Sequence, residues 1–193
     1  MKEIISHIRT EDWAIQPNEE HQEGVSLMAS KFAADFGMAE WGRVLGLLHD
    51  KGKEKKAFQQ HILKESGKEP LIKVDGDYRH AYVGALIAKQ LFPKCYLLMI
   101  NALMGHHRGL YDDGDMKEVL KQRMPDDVTI DEINADLEIP RLEKSKDIHH
   151  LERMLYSCLV DADFLDTEAF MQPEQSRLRG EYDSLTILEE KCA

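Results

Sequence analysis

Lys146-Asp147-Ile148-His149-His150-Leu151-Glu152-Arg153-Met154-Leu155-Tyr156-Ser157-Cys158-Leu159-Val160-Asp161-Ala162-Asp163-Phe164-Leu165 is the stretch that decides the fold class. Its apolar positions Ile148, Leu151, Leu155, Cys158, Ala162 and Leu165 recur every three or four residues, the spacing of one face of an α-helix. The pattern predicts a long helix over about 146–171. The same period runs through Val25, Met28, Phe32 and Phe36, and again through Trp41, Leu45 and Leu48. Tyr96, Met99, Ile100 and Leu103 share a face behind Pro93, a residue tolerated at a first helical position. A further apolar helix is predicted over 78–91.

No segment sustains period-two alternation, so the expected fold is all-α, a compact multi-helix bundle. Over about 110–146 the chain turns polar and acidic, as in Tyr111-Asp112-Asp113-Gly114-Asp115, and reads as a surface excursion with one short helix near 116–122. The tail after Pro173 is weakly amphipathic. There is no internal repeat, and a single domain over 1–193, with its core over about 19–170, suffices.

Composition narrows the function. The 193 residues carry 25 Lys and Arg against 36 Asp and Glu, a formal charge of −11, which argues against a broad basic surface for duplex nucleic acid. The longest apolar run, Cys95-Tyr96-Leu97-Leu98-Met99-Ile100, is far short of the roughly 18 residues of a membrane helix. The first 13 residues alternate charge with apolar groups and contain no signal-peptide core. Cys95, Cys158 and Cys192 are odd in number and form no CxxC, so no disulfide framework is expected and a cytoplasmic location is.

The chemistry lies in the histidines. His49 and Asp50 close the helix that starts near Met38, followed by Lys51-Gly52-Lys53, with Gly52 placed as a helix-ending glycine. His106 and His107 end the helix behind Pro93, flanked by Gly105 and Gly109, while His21 and His80 each open one. Side chains at helix ends can converge on one cavity. Imidazoles with a carboxylate suit first-row divalent ions. A two-ion hydrolase holds them about 3.5–4 Å apart and lowers the pKa of water from about 15.7 towards about 7. Asp50 has two oxygens and can bridge.

A His-Asp pair alone arises often by chance, whereas His-Asp-x-Gly-Lys together with Gly-His-His-x-Gly is a specific joint pattern. His7, His61, His149 and His150 read as ordinary histidines, the last two solvent-exposed. Lys51, Lys55 and Lys56 read as a solvated face, and Lys53, three residues past Asp50, as a site residue. Cys158 lies on the apolar stripe and reads as packing rather than nucleophile.

These residues resemble the HD superfamily of metal-dependent phosphohydrolases and, more narrowly, the HD nuclease domain of the CRISPR type I helicase-nuclease. The matching strings run in family order: His21, Leu47-Leu48-His49-Asp50-Lys51-Gly52-Lys53, Phe58-Gln59, His80-Ala81-Tyr82-Val83-Gly84-Ala85, Gly105-His106-His107-Arg108-Gly109-Leu110, and Cys158-Leu159-Val160-Asp161-Ala162-Asp163-Phe164-Leu165-Asp166-Thr167-Glu168. The resemblance implies an all-α HD-domain bundle and metal-dependent cleavage of DNA, preferentially single-stranded. It also implies work in antiviral defence beside a superfamily 2 helicase and a crRNA-guided surveillance complex.

By the same resemblance, one ion is held by His21, His49, Asp50 and a carboxylate of the long helix, and the other by His80, His106 and His107, with Asp50 bridging. Lys53 then contacts the scissile phosphate or steadies its charge. Asp161 and Asp163 point about 200° apart, at roughly 100° per residue, so both cannot ligate one ion. The superfamily's Ala-Asp pattern picks Asp163, leaving Asp161 to support a ligand histidine. Imidazole-rich sites favour Mn, Fe or Ni over Mg. No helicase segment accompanies the 193 residues, which implies either a separate nuclease subunit or a piece of a longer chain whose helicase follows. A small-nucleotide phosphohydrolase is the alternative enzyme, and a non-catalytic adaptor the alternative class.

Overall fold

The computed structural model describes residues 3–139 and 145–179. Two short strands come first: β1 (Ile5–Arg9) pairs antiparallel with β2 (Ala14–Pro17). The helices follow in order: α1 (Asn18–Ala34), α2 (Ala39–Leu48), a 3-10 turn (Lys51–Glu54), α3 (Lys56–Glu65), α4 (Ala81–Leu91), α5 (Leu97–Gly105), α6 (Asp113–Val119), α7 (Ser145–Met171) and α8 (Pro173–Arg177).

The helical class holds, with one addition that alternation did not reveal. In β1 the register slips between Ile5 and His7, so Ile5 and the neighbouring Ser6 are both buried. A bulge of this kind removes the in-out pattern that marks a strand. The hairpin is fastened from outside by Gln59 of α3, whose side chain accepts from the Ile5 amide at 3.0 Å and donates to the Ile5 carbonyl at 2.9 Å. Beneath it Ile5, Ile8 and Leu63 form a small apolar cluster.

The main core lies between α1, α2, α4, α5 and α7, where Val25, Leu45, Leu48, Ile87, Met99, Leu103, Leu155 and Leu159 are fully buried. The α7 stripe performs as its period requires: Leu151, Leu155, Cys158 and Ala162 face inward, and Ile148 lies at the exposed start. Three helix starts differ from the periodicity reading. Pro93 opens a turn, closed by the Tyr96 amide on the Phe92 carbonyl at 2.9 Å, and α5 begins only at Leu97. α4 begins at Ala81 after an extended approach. α6 sits three residues early because Asp112 caps it, its Oδ1 accepting from the Gly114 and Asp115 amides at 2.9 and 3.0 Å.

The acidic stretch after Leu110 is polar outside but fastened down. Met116, Val119, Ile130, Ile133 and Leu137 pack on the main core. Trp41 Nε1 donates to the Glu138 carbonyl at 3.1 Å, Arg43 to the Asn134 carbonyl at 2.8 Å, and Lys51 Nζ to Asp131 at 2.8 Å. Residues 120–139 are thus a strap across α2 and the 3-10 turn. Cys95 and Cys158 are buried free thiols, while Cys192 and most of the tail lie outside the described residues. Among the described residues, no helix is long and apolar enough to cross a membrane.

Leu155 tests the inward stripe of α7. Leu155→Ala should cost about 2–5 kcal/mol in a denaturant titration while leaving helical content in water unchanged. A loss below about 1 kcal/mol would mean that α7 does not close the core.

Candidate metal centre

Four helices bring their ends to one point beside the inner face of a fifth, α7. His21 lies in the first turns of α1, His49 follows the last residue of α2, and His80 precedes the first residue of α4. His106 follows α5, and Asp163 faces the same point from α7. Backbone contacts set the separation. A Cβ on Gly52 would stand 2.2 Å from the His80 carbonyl oxygen, and one on Gly84 would stand 2.2 Å from that of Leu48. Gly52 is therefore needed for a close approach within the 3-10 turn, and not as a left-handed helix end.

Asp50 is at the centre and fully buried. Its Oδ2 lies 3.3 Å from both His21 Nε2 and His49 Nε2, and its Oδ1 lies 3.3 Å from His80 Nε2 and 3.5 Å from His106 Nε2. Asp163 Oδ1 stands 3.3 Å from His21 Nε2 and 3.8 Å from His49 Nε2. His107 joins through a 2.9 Å contact between its Nε2 and that of His80. Two donor groups result, His21 with His49 and Asp50, and Asp50 with His80, His106 and His107. The structure thus brings together His21, His49, Asp50, Lys53, His80, His106, His107 and Asp163.

The ring orientations are fixed from behind. Carbonyl oxygens only accept, so His49 Nδ1 must donate to Gly46 at 2.7 Å and His106 Nδ1 to Leu103 at 2.7 Å. Those hydrogen bonds turn both Nε2 atoms towards Asp50. His21 Nδ1 makes the equivalent 2.7 Å hydrogen bond with Asp166 Oδ2. Asp161 is exposed. The supporting carboxylate is consequently Asp166, one turn beyond Asp163 on the same face of α7, and not Asp161.

The electrostatics demand positive charge. Burial alone would raise the Asp50 pKa, but Lys53 and the imidazoles hold it well below the usual carboxylate range. Burial likewise opposes ionisation of Asp163, and His21 and His49 outweigh it. Burial works to neutralise His21, yet Asp163, Asp166 and Asp50 raise it to about 10. His80 is lowered mainly by burial, and His107 is lowered to about 3 by burial and by His106. Both Asp50 oxygens and His106 Nε2 are buried without a hydrogen-bond partner of good geometry, although Lys53 Nζ lies 2.6 Å from Oδ2. Buried anionic oxygens and an unpartnered imidazole nitrogen are costly unless a cation satisfies them. This donor set fits divalent metal ions.

Several residues were not legible as site residues. Lys53 Nζ donates to Ser6 Oγ at 2.9 Å and touches His7 Nε2 at 3.4 Å. His7 Nδ1 contacts Gln16 Oε1 at 2.8 Å, and Gln16 Nε2 donates to Asp166 at 2.8 Å. Burial and then Lys53 lower His7 to about 4. The hairpin therefore links Lys53 back to His21, and only the one-turn spacing of Asp166 from Asp163 carried any signal of this. The lysine run also differs from a solvated face: Lys51 and Lys55 are buried, Lys51 on Glu54 and Asp131, and Lys55 on the Arg79 carbonyl and the Tyr82 hydroxyl. Lys56 alone of these three is exposed. His149 and His150 are exposed, and His61 stacks on Tyr78.

A family model described as Cas3, HD domain matches residues 13–181. No curated protein matches the chain.

The Asp166 hydrogen bond has a measurable consequence. Asp166→Ala should weaken Mn²⁺ binding by about 10–100-fold, the usual effect of removing a carboxylate behind a ligand histidine, with helical content unchanged. Calorimetric titration of the metal-stripped chain measures it, and wild-type affinity in the variant would show that His21 needs no such support.

Proposed function

We propose that this chain, which belongs to the Cas3 HD-domain family and is a metal-dependent nuclease or phosphohydrolase of a CRISPR system, cuts single-stranded DNA at the Asp50 centre. The carrying observation is a fully buried carboxylate whose two oxygens face separate sets of imidazole nitrogens. His21, His49, Asp50 and Asp163 would hold one ion, and Asp50, His80, His106 and His107 the other. Such a pair supplies a lowered pKa for water and offsets negative charge on the phosphodiester.

The chain's own groups do the rest. The Nδ1 hydrogen bonds of His21, His49 and His106 hold three imidazoles in ligating orientation. Lys53 keeps Asp50 ionised and steadies charge that develops on the phosphate beside it. Manganese, iron or nickel fit better than magnesium, because five of the donors are imidazoles and magnesium prefers oxygen.

Charge supports the single-strand reading. The chain carries −11, and two divalent ions leave it clearly anionic. Lys51 and Lys55, beside the centre, are turned inward onto internal partners and offer no groove for a duplex. A helicase, delivering a strand displaced by a crRNA-guided complex in antiviral defence, answers that need.

The test is incubation of the metal-stripped chain with circular single-stranded DNA. Mn²⁺ should restore cutting better than Mg²⁺, and Asp50→Ala should abolish it with helical content retained. More than a small residual activity in that variant would overturn the bridging role. A parallel salt series should show little cleavage of duplex DNA of the same sequence. Equal cleavage of both forms at moderate salt would overturn the single-strand preference, and turnover of mononucleotides alone would favour a nucleotide phosphohydrolase.

A further inference from the structure

A cavity of about 350 Å³ opens directly against the metal centre. His80 and His107 line it together with His61, Tyr78 and Tyr111. His61 and Tyr78 are stacked, with centroids 4.0 Å apart and planes within 15°. Neither ring belongs to an apolar core cluster, and Tyr78 remains 45% exposed, so core packing does not account for the pair. Arg108, next in sequence to His107, lies at the same cavity, is exposed and forms no ion pair among the described residues.

Resting on the nuclease reading above, we propose that this cavity receives one nucleobase of the substrate strand. The base continues the Tyr78–His61 stack, and Arg108 meets the adjoining phosphate. Three observations converge on this occupant. The volume is at the small end of ligand pockets, suited to one nucleoside-sized group. Aromatic platforms bind every base through its π-face without reading sequence. The cavity is continuous with the imidazoles that would hold an ion, so a base seated there lies beside the bond to be cut.

The pocket also gives a physical origin for strand selection. An anionic chain gains little from long-range attraction to DNA, so local stacking must hold the substrate. A base paired and stacked inside a duplex cannot enter the cavity without leaving its neighbours, whereas a single strand offers its bases freely. A free nucleotide presents the same chemistry as a base in a strand, and the experiment separates the two.

The test measures binding of the full chain, in chelator so that nothing is cut, to a fluorescein-labelled oligothymidylate and to an abasic strand of equal length. Wild type should bind the oligothymidylate about tenfold more tightly, equivalent to about 1.4 kcal/mol. Tyr78→Ala should erase that preference, and Tyr78→Phe, which keeps the ring, should retain it. Equal affinity of wild type for both strands, or a preference surviving in Tyr78→Ala, overturns the subsite. Thymidine monophosphate competing as well as the oligothymidylate, at equal nucleotide concentration, overturns its assignment to a strand. Absence of a base preference in wild type, with circular DNA still cut in Mn²⁺, overturns the subsite and leaves the nuclease reading standing. Retained base preference in a chain that cuts no strand supports the subsite and overturns that reading instead.

Discussion

An ionised carboxylate with no solvent exposure is the constraint around which this molecule is organised. Removing such a group from water costs several kcal/mol unless charge and hydrogen bonds replace hydration. At Asp50 the compensation comes from Lys53 at 2.6 Å and from imidazoles on four separate segments. This explains why α1, α2, α4 and α5 start or stop where they do. A helix interior fans its side chains around a cylinder, while a helix end lets the chain turn one side chain towards a point that several elements share.

The terminal hairpin makes sense in the same terms. It adds only two buried residues, Ile5 and Ile8, to a small apolar cluster, yet it supplies Ser6, His7 and Gln16. These connect Lys53 on one side of Asp50 to Asp166 and His21 on the other. The cation that balances Asp50 and the carboxylate that orients a neighbouring imidazole thus belong to one hydrogen-bonded circuit. Deleting the hairpin would disturb both, although none of its residues belongs to either donor group.

Much of this was legible in the sequence, and the exceptions share a cause. The α7 period gave its bounds to within a residue, and the two adjacent pairs, His49-Asp50 and His106-His107, pointed to the centre. Helical angle showed that Asp161 and Asp163 cannot share one ion, and the resemblance to the family picked Asp163. What stayed hidden depended on partners distant in sequence. Lys51 looked solvated because Asp131 is 80 residues away, and Gly52 looked like a helix end because the His80 carbonyl it admits is far along the chain. The hairpin was hidden by its bulge, and with it the role of His7. Asp166 stood one turn from Asp163 but had no visible partner until Gln16 and His21 were placed against it.

The strap over 120–139 is held at two of its anchor points by main-chain carbonyls, those of Asn134 and Glu138, which accept from Arg43 and Trp41. A carbonyl is present whatever side chain the residue bears. Positions 134 and 138 can therefore drift through substitution without releasing the strap, provided that its path is kept. Drift at Trp41 or Arg43 has no such freedom, because each donor is a particular side chain. Variation should accumulate on the outer partner of this interface while the inner one stays fixed, so the segment with the least regular structure is also the one best able to acquire new surface chemistry.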